Sequence, residues 1–116
     1  MLFVCYPKCS TCGKARDWLN AQGLAFTERD IKTENPTADE LREWHAKSGL
    51  PWKRFFNTSG QLYRAMGLSG KVDSMSEDEI VSLLASDGML VKRPILVTDG
   101  AVLVGFREKE WAAALS

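Results

Sequence analysis

The stretch CYPKCSTCGKAR, residues 5–16, decides how the rest of the sequence is read. It holds all three cysteines of the chain and three basic side chains, Lys8, Lys14 and Arg16. Cys9 and Cys12 stand in a Cys-x-x-Cys arrangement. Upstream, LFVCY (residues 2–6) is a short apolar run stopped by Pro7. Its brevity and its aromatic and β-branched content predict a buried strand, with Cys5 packed as a core thiol. Downstream, Cys12, Ala15, Leu19 and Gln22 fall near one face of a helix over roughly 11–22, with Trp18 beside Leu19. Gly23 ends it, as a left-handed residue after a helix often does. Residues 24–31, LAFTERDI, alternate in part and predict a second strand. Strand, helix and strand in that order allow a parallel crossover.

The middle of the chain reads as helical. Thr37 to Glu40 is a capping box, in which the threonine hydroxyl and the glutamate satisfy early backbone N–H groups. Leu41 and Trp44 mark a buried stripe that runs to Ser48, and Gly49 closes the helix. PWKRFF (51–56) predicts a short helical turn or a loop, and Ser59 to Met66 a further short helix closed by Gly67. Ser76 to Glu79 is a second capping box, with Met75 set to staple onto Ile80. Ile80, Leu83 and Leu84 are spaced to face a core. The last third changes character. Ile95 to Thr98 predicts a strand, Asp99-Gly100 a tight hairpin turn, Ala101 to Gly105 the return strand, and Glu108 to Leu115 a final helix. The order is β-α-β, a helical block, then β-β-α. The expected fold is α/β, a four-stranded mixed sheet covered by helices.

Composition narrows function. The 116 residues fit one domain, and 45% hydrophobic with 26% charged residues is ordinary for a globular protein. A formal net charge of zero argues against a domain that grips nucleic acid through its phosphates. No apolar run approaches the roughly 20 residues that cross a bilayer, so no membrane role is expected. MLFVCYPK has no charged lead-in and no small-residue cleavage site, so it does not read as a signal peptide and the expected location is the cytoplasm. Stable disulfides are rare there, and a cysteine pair points to catalysis or metal. A structural zinc site takes four ligands. One Cys pair, Cys5 in a strand and the single His45 in a helix do not supply them, so no metal is expected. His45 reads as a surface or half-buried helix residue. The four tryptophans, Trp18, Trp44, Trp52 and Trp111, read as packing residues.

The position of Cys9 and Cys12 argues for reactive thiols. A helix start leaves N–H groups unpaired and carries the positive end of the dipole, which favours a thiolate. Lys8, Lys14 and Arg16 are expected to add positive charge. A thiolate is the nucleophile in cysteine chemistry, and such surroundings lower a thiol's pKa. Cys9, nearest the loop, is the expected attacker. Cys12, one helical turn further in, is placed to resolve a mixed disulfide formed at Cys9.

The β-α-β and β-β-α halves, with Cys-x-x-Cys opening the first helix, resemble the thioredoxin fold. Arg93-Pro94 resembles that fold's cis-proline position. The helical insertion, together with YPKCSTCGKAR, PWKRFFNTSGQLYRAMGL, SDGMLVKRPILV and VGFREKEW, resembles the glutaredoxin-coupled arsenate reductase (ArsC) family and its Spx-like relatives over nearly the whole chain. The resemblance implies one domain, 1–116, with thioredoxin-like parts at about 1–35 and 88–116 and a helical insertion at about 36–87.

In the family's arsenate reductases the cysteine matching Cys9 attacks arsenate. Arginines hold the oxyanion, and glutathione or another small thiol with glutaredoxin releases arsenite. No bound cofactor is implied. Arg93, before Pro94, matches one of those arginines and Arg107 another. The third falls at Asn57, which donates a hydrogen bond but brings no charge, with Lys53 and Arg54 the cations near it in sequence. Forked guanidinium donors suit a tetrahedral oxyanion. Cys12 is a second departure, shared with the Spx-like branch, and it permits an internal disulfide. Three readings stay open: a reductase acting on arsenate or a disulfide, a general thiol–disulfide oxidoreductase without arsenate activity, and an Spx-like switch binding the RNA polymerase α subunit. Regulators of the last kind carry a further segment after the final helix, and here the sequence ends at Ser116, which weights the expectation toward the enzyme.

Overall fold

A computed structural model describes residues 1–115. It shows an α/β fold built on one four-stranded mixed sheet. The strands are β1 (Leu2–Cys5), β2 (Thr27–Asp30), β3 (Ile95–Val97) and β4 (Val102–Val104), in the order β2-β1-β3-β4. β1 runs parallel to β2 and antiparallel to β3, and β3 pairs antiparallel with β4. Helix α1 (Ser10–Ala21) makes the β1-to-β2 crossover. α2 (Ala38–Ser48), α3 (Gln61–Ala65) and α4 (Glu77–Ser86) form the insertion between β2 and β3, and α5 (Glu108–Leu115) closes the described chain.

Side-chain alternation along the strands divides the interior into two cores. Phe3, Cys5 and Leu96 point to one face, where Cys12, Ala15 and Leu19 of α1 and Trp111 of α5 cover them. Val4, Ile95, Val102 and Val104 point to the other, against Leu41, Trp44, Phe55, Phe56, Ile80 and Leu84 of the insertion. β1 is buried on both faces, which explains its unbroken apolar run.

Local signals set the element ends. Both capping boxes are formed, at Thr37 with Glu40 and at Ser76 with Glu79. Gly49 (φ 68°) takes the left-handed conformation that ends α2. Met75 packs against the core that contains Ile80. Val81 is buried as well, while Leu83 is only partly covered. Trp52–Phe55 forms a single 3-10 turn. His45 stacks on Trp52 with ring centroids 3.9 Å apart.

β2 is shorter than its sequence predicts. The Leu24 N–H still bonds the Leu19 carbonyl at 3.2 Å, closing the end of α1. Pairing begins only where Thr27 N–H reaches the Met1 carbonyl at 2.9 Å. Leu24 and Phe26 pack beside the α1–α5 core instead of extending the strand.

One long-range clip positions the site. Phe56 and Val91 form an antiparallel bridge. Asn57 N–H donates to the Leu90 carbonyl and Lys92 N–H to the Phe55 carbonyl, each at 2.8 Å. The insertion is thereby laced to the loop that enters β3.

Candidate active site

Cys9 is the N-cap residue of α1, in extended conformation (φ −88°, ψ 122°). Its N–H donates to the Tyr6 carbonyl at 2.9 Å, and its own carbonyl accepts from Gly13 N–H at 3.1 Å. The sulfur therefore occupies the place where a serine or aspartate oxygen usually caps a helix, facing the N–H groups two and three residues on. The first turn of α1 carries no acidic residue to compete for that end. Partial burial of the Cys9 sulfur works against ionisation. The Cys12 N–H, the Cys12 thiol, the Thr11 N–H and the Arg93 guanidinium outweigh it and hold the Cys9 thiol below its ordinary value.

Cys12 is the opposite case. It is 0% exposed, and burial pushes its thiol up to about 12, although Tyr6 N–H donates to its sulfur at 3.4 Å. The charge of Cys9 raises it further. The pair thus divides into a half-exposed sulfur that ionises readily and a buried one that keeps its proton. Cys5, also 0% exposed, is pushed up by burial and by Glu28, with Arg16 opposing. All three thiols are unbridged.

The bases next to the cysteines in sequence do not supply the field. Arg16 turns away, with Nε 2.6 Å from Glu28 Oε1 and Nη2 3.5 Å from Cys5 Sγ. Lys8 and Lys14 are exposed and are not among the groups that lower Cys9. The cation at the sulfur is Arg93. Its Nη1 donates to the Met89 carbonyl at 3.4 Å and its Cζ lies 5.2 Å from the centre of the Tyr6 ring. The Arg93–Pro94 peptide is cis. Pro94 is buried, and its carbonyl accepts from Gly105 N–H at 2.8 Å.

Cys9, Arg93 and Asn57 line one cleft of about 470 Å³. Asn57 reaches it through the Phe56–Val91 clip, with Ser59 Oγ 3.4 Å from its Oδ1. Thr11, Ser59, Gln61, Met89 and Lys92 share the lining and were not expected from sequence. Lys92 had a signal, since it adjoins Arg93. Thr11 stands two residues from Cys9 and Met89 four before Arg93, while Ser59 and Gln61 depend on how α3 folds back. Arg107 is not part of the lining. It is 67% exposed and faces Glu110 at 3.7 Å. Lys53 and Arg54 are likewise absent from it. Among the described residues no group of three or more His, Cys, Asp or Glu is placed to hold a metal ion, and no helix is long and apolar enough to cross a membrane.

A mixed sheet with a thiol at the first helix start and a cis-proline before the third strand defines the thioredoxin-like class, here with a helical segment between β2 and β3. The ArsC family model matches residues 5–114, and the chain belongs to that family. It is 51% identical to an uncharacterized protein, YusI, of Bacillus subtilis, over 96% of this chain and 94% of that one. It is 29% identical to the global transcriptional regulator Spx of Streptococcus mutans, over 94% of this chain and 78% of the regulator. The crystal structure of an ArsC family related protein from Bacteroides fragilis superposes with a TM-score of 0.94 at 51% identity, covering 97% and 94% of the two chains. An arsenate reductase from Vibrio cholerae does so at 0.82 and 26% identity, covering 100% and 98%.

Proposed function

We propose that the chain is a cytoplasmic thiol-dependent reductase, acting as one domain, with Cys9 as nucleophile and Cys12 as resolving thiol. One observation carries this: Cys9 stands at the N-cap position of α1, partly exposed and with its ionised form favoured, in a cleft that it shares with Arg93. Arg93 orients the substrate and Asn57 offers an uncharged donor, while Pro94, buried behind Arg93, lies outside the cleft lining. Arg107 lies outside the cleft lining, so the forked cation of the step is Arg93.

With a disulfide, the Cys9 thiolate attacks one sulfur, forming a mixed disulfide and expelling the other sulfur as a thiolate. Cys12 then gives up its proton and attacks Cys9 Sγ. The second substrate thiolate leaves, and the two electrons gained by the substrate have come from the Cys9 and Cys12 thiols, which end as a disulfide. With arsenate, the thiolate displaces one oxygen, which leaves as water. A small thiol such as glutathione then joins Cys9 in a disulfide as arsenic takes the electron pair and departs as arsenite. Glutathione with glutaredoxin restores the thiols in either case.

The test is glutathione- and glutaredoxin-coupled turnover of arsenate and of a glutathionyl mixed disulfide by the native chain, Cys9→Ser and Cys12→Ser. Native turnover lost in Cys9→Ser supports the reading; activity that survives Cys9→Ser defeats it. The 29% identity to Spx keeps a second reading in play, a switch on the RNA polymerase α subunit set by the Cys9–Cys12 state. Oxidation-dependent capture of that subunit, with no turnover of either substrate, would favour the switch.

A further inference from the structure

The cleft at Cys9 is larger than a tetrahedral oxyanion needs. Its volume of about 470 Å³ lies within the roughly 300–1,000 Å³ over which proteins enclose organic molecules of drug size. Its lining is chemically graded. Lys92 and Arg93 bring positive charge, Asn57, Ser59 and Gln61 bring amide and hydroxyl groups, and Leu62 and Met89 bring apolar surface. No carboxylate is among the described residues that line it.

The two cations are unspent. Arg16, Arg29, Arg42 and Arg107 are each tied to a carboxylate. Neither Lys92 nor Arg93 takes part in an ion pair among the described residues. Lys92 is also held in place. Its N–H is fixed to the Phe55 carbonyl at 2.8 Å. Its stem passes so close to Gly105 that a Cβ there would lie 3.3 Å from Lys92 Cε. The absence of that Cβ leaves room for the lysine stem beside Gly105.

We infer that the cleft takes the disulfide of a small carboxylate-bearing thiol, with Lys92 as the residue that selects for negative charge. The inference rests on Cys9 being the nucleophile. A carboxylate set on Lys92 leaves Arg93 beside the reacting sulfur, peptide-like groups meet Asn57 and Gln61, and methylenes meet Leu62 and Met89. The reaction is the disulfide exchange given above, two substrate thiols being released as Cys9 and Cys12 become a disulfide.

Three symmetrical disulfides of similar size provide the test: 3,3'-dithiodipropionate (anionic), 2-hydroxyethyl disulfide (neutral) and cystamine (cationic). Thiol release from each by the reduced full chain is divided by its rate with dithiothreitol, which removes intrinsic reactivity. The expected order is anionic, neutral, cationic, with the extremes about tenfold apart or more at low salt. In 1 M salt, where the screening length is about 3 Å, the spread narrows. Lys92→Glu lowers the anionic-to-cationic ratio at least tenfold, and Lys92→Gln lowers it less. Equal normalised rates for the native chain overturn the inference while leaving the reductase reading intact. So does an unchanged ratio in both variants when their far-UV circular dichroism is native. If the native chain cleaves none of the three, the inference is overturned, and the reductase reading is then decided by arsenate and glutathionyl-disulfide turnover and its loss in Cys9→Ser.

Discussion

Replacing Cys12 by alanine or by serine separates its two proposed roles. Its buried thiol donates to the Cys9 sulfur and favours the anion there. Hydrogen bonds to charged groups contribute about 1.5–3 kcal/mol, and a thiol, as a weak donor, belongs at or below the lower end. That corresponds to about one pH unit. Cys12→Ala therefore raises the Cys9 pKa by about one unit. At a pH below both values the thiolate fraction falls about tenfold. The more basic sulfur is also more nucleophilic, with a Brønsted slope near 0.4–0.5, so the net loss of rate is about threefold. Cys12→Ser keeps a donor, so Cys9 stays within a few tenths of a unit of native. The serine cannot resolve, however, and a mixed disulfide at Cys9 accumulates. The assay is the pH dependence of iodoacetamide alkylation, which reports on Cys9 because Cys5 and Cys12 are 0% exposed. Mass spectrometry of the adduct after disulfide challenge gives the second readout. Equal Cys9 pKa values in the native and alanine chains, or release of the adduct from the serine chain, would refute the reasoning.

Three further predictions concern stability. The Cys12 value is raised on folding, so its contribution is complete below the ordinary 9.0 and is lost as pH climbs toward about 12. Between pH 9 and 10 urea melts should show the native chain losing about 1 kcal/mol more than Cys12→Ala, since the unfolded thiol is only half ionised at pH 9. Arg29 forks onto Glu40 at 2.6 and 2.9 Å and donates to the Glu34 and Asn35 carbonyls; Arg29→Met should cost about 1–2 kcal/mol after allowance for partial exposure. Because Arg29 lowers Glu40, that contribution is present above the unfolded glutamate value and disappears as pH falls through the folded one, so melts of native and variant should converge in acid. Gly88 lies against the β2–α2 connection, where an added Cβ would sit 1.8 Å from the Ile31 carbonyl oxygen. Gly88→Ala should therefore lower stability by about 3 kcal/mol, read from the midpoint of urea unfolding.

The sequence showed most of the fold because its signals are local. A capping box closes within four residues, a glycine ends a helix by its own backbone freedom, and Asp99-Gly100 turns a hairpin. The start of β2 was less legible. Leu24 and Phe26 carry the apolar character of a strand, yet the backbone there is still completing α1. At the site, the N-cap position of Cys9 could be read from strand, Cys-x-x-Cys and helix in succession. The electrostatics could not. Lys8, Lys14 and Arg16 adjoin the thiols along the chain, but Arg16 is drawn to Glu28.

By itself, then, the order of residues determined that a thiol would stand where α1 begins and that a mixed sheet would lie beneath it. Only the tertiary structure decided which cation meets that thiol. Burial of both sheet faces and the Phe56–Val91 bridge bring Arg93, Lys92 and Asn57 to the cleft, while Arg107 is left on the surface beside Glu110. Helix starts and turns arise from interactions a few residues long; the charge surrounding a sulfur depends on distances through space, which are fixed once the two cores have packed.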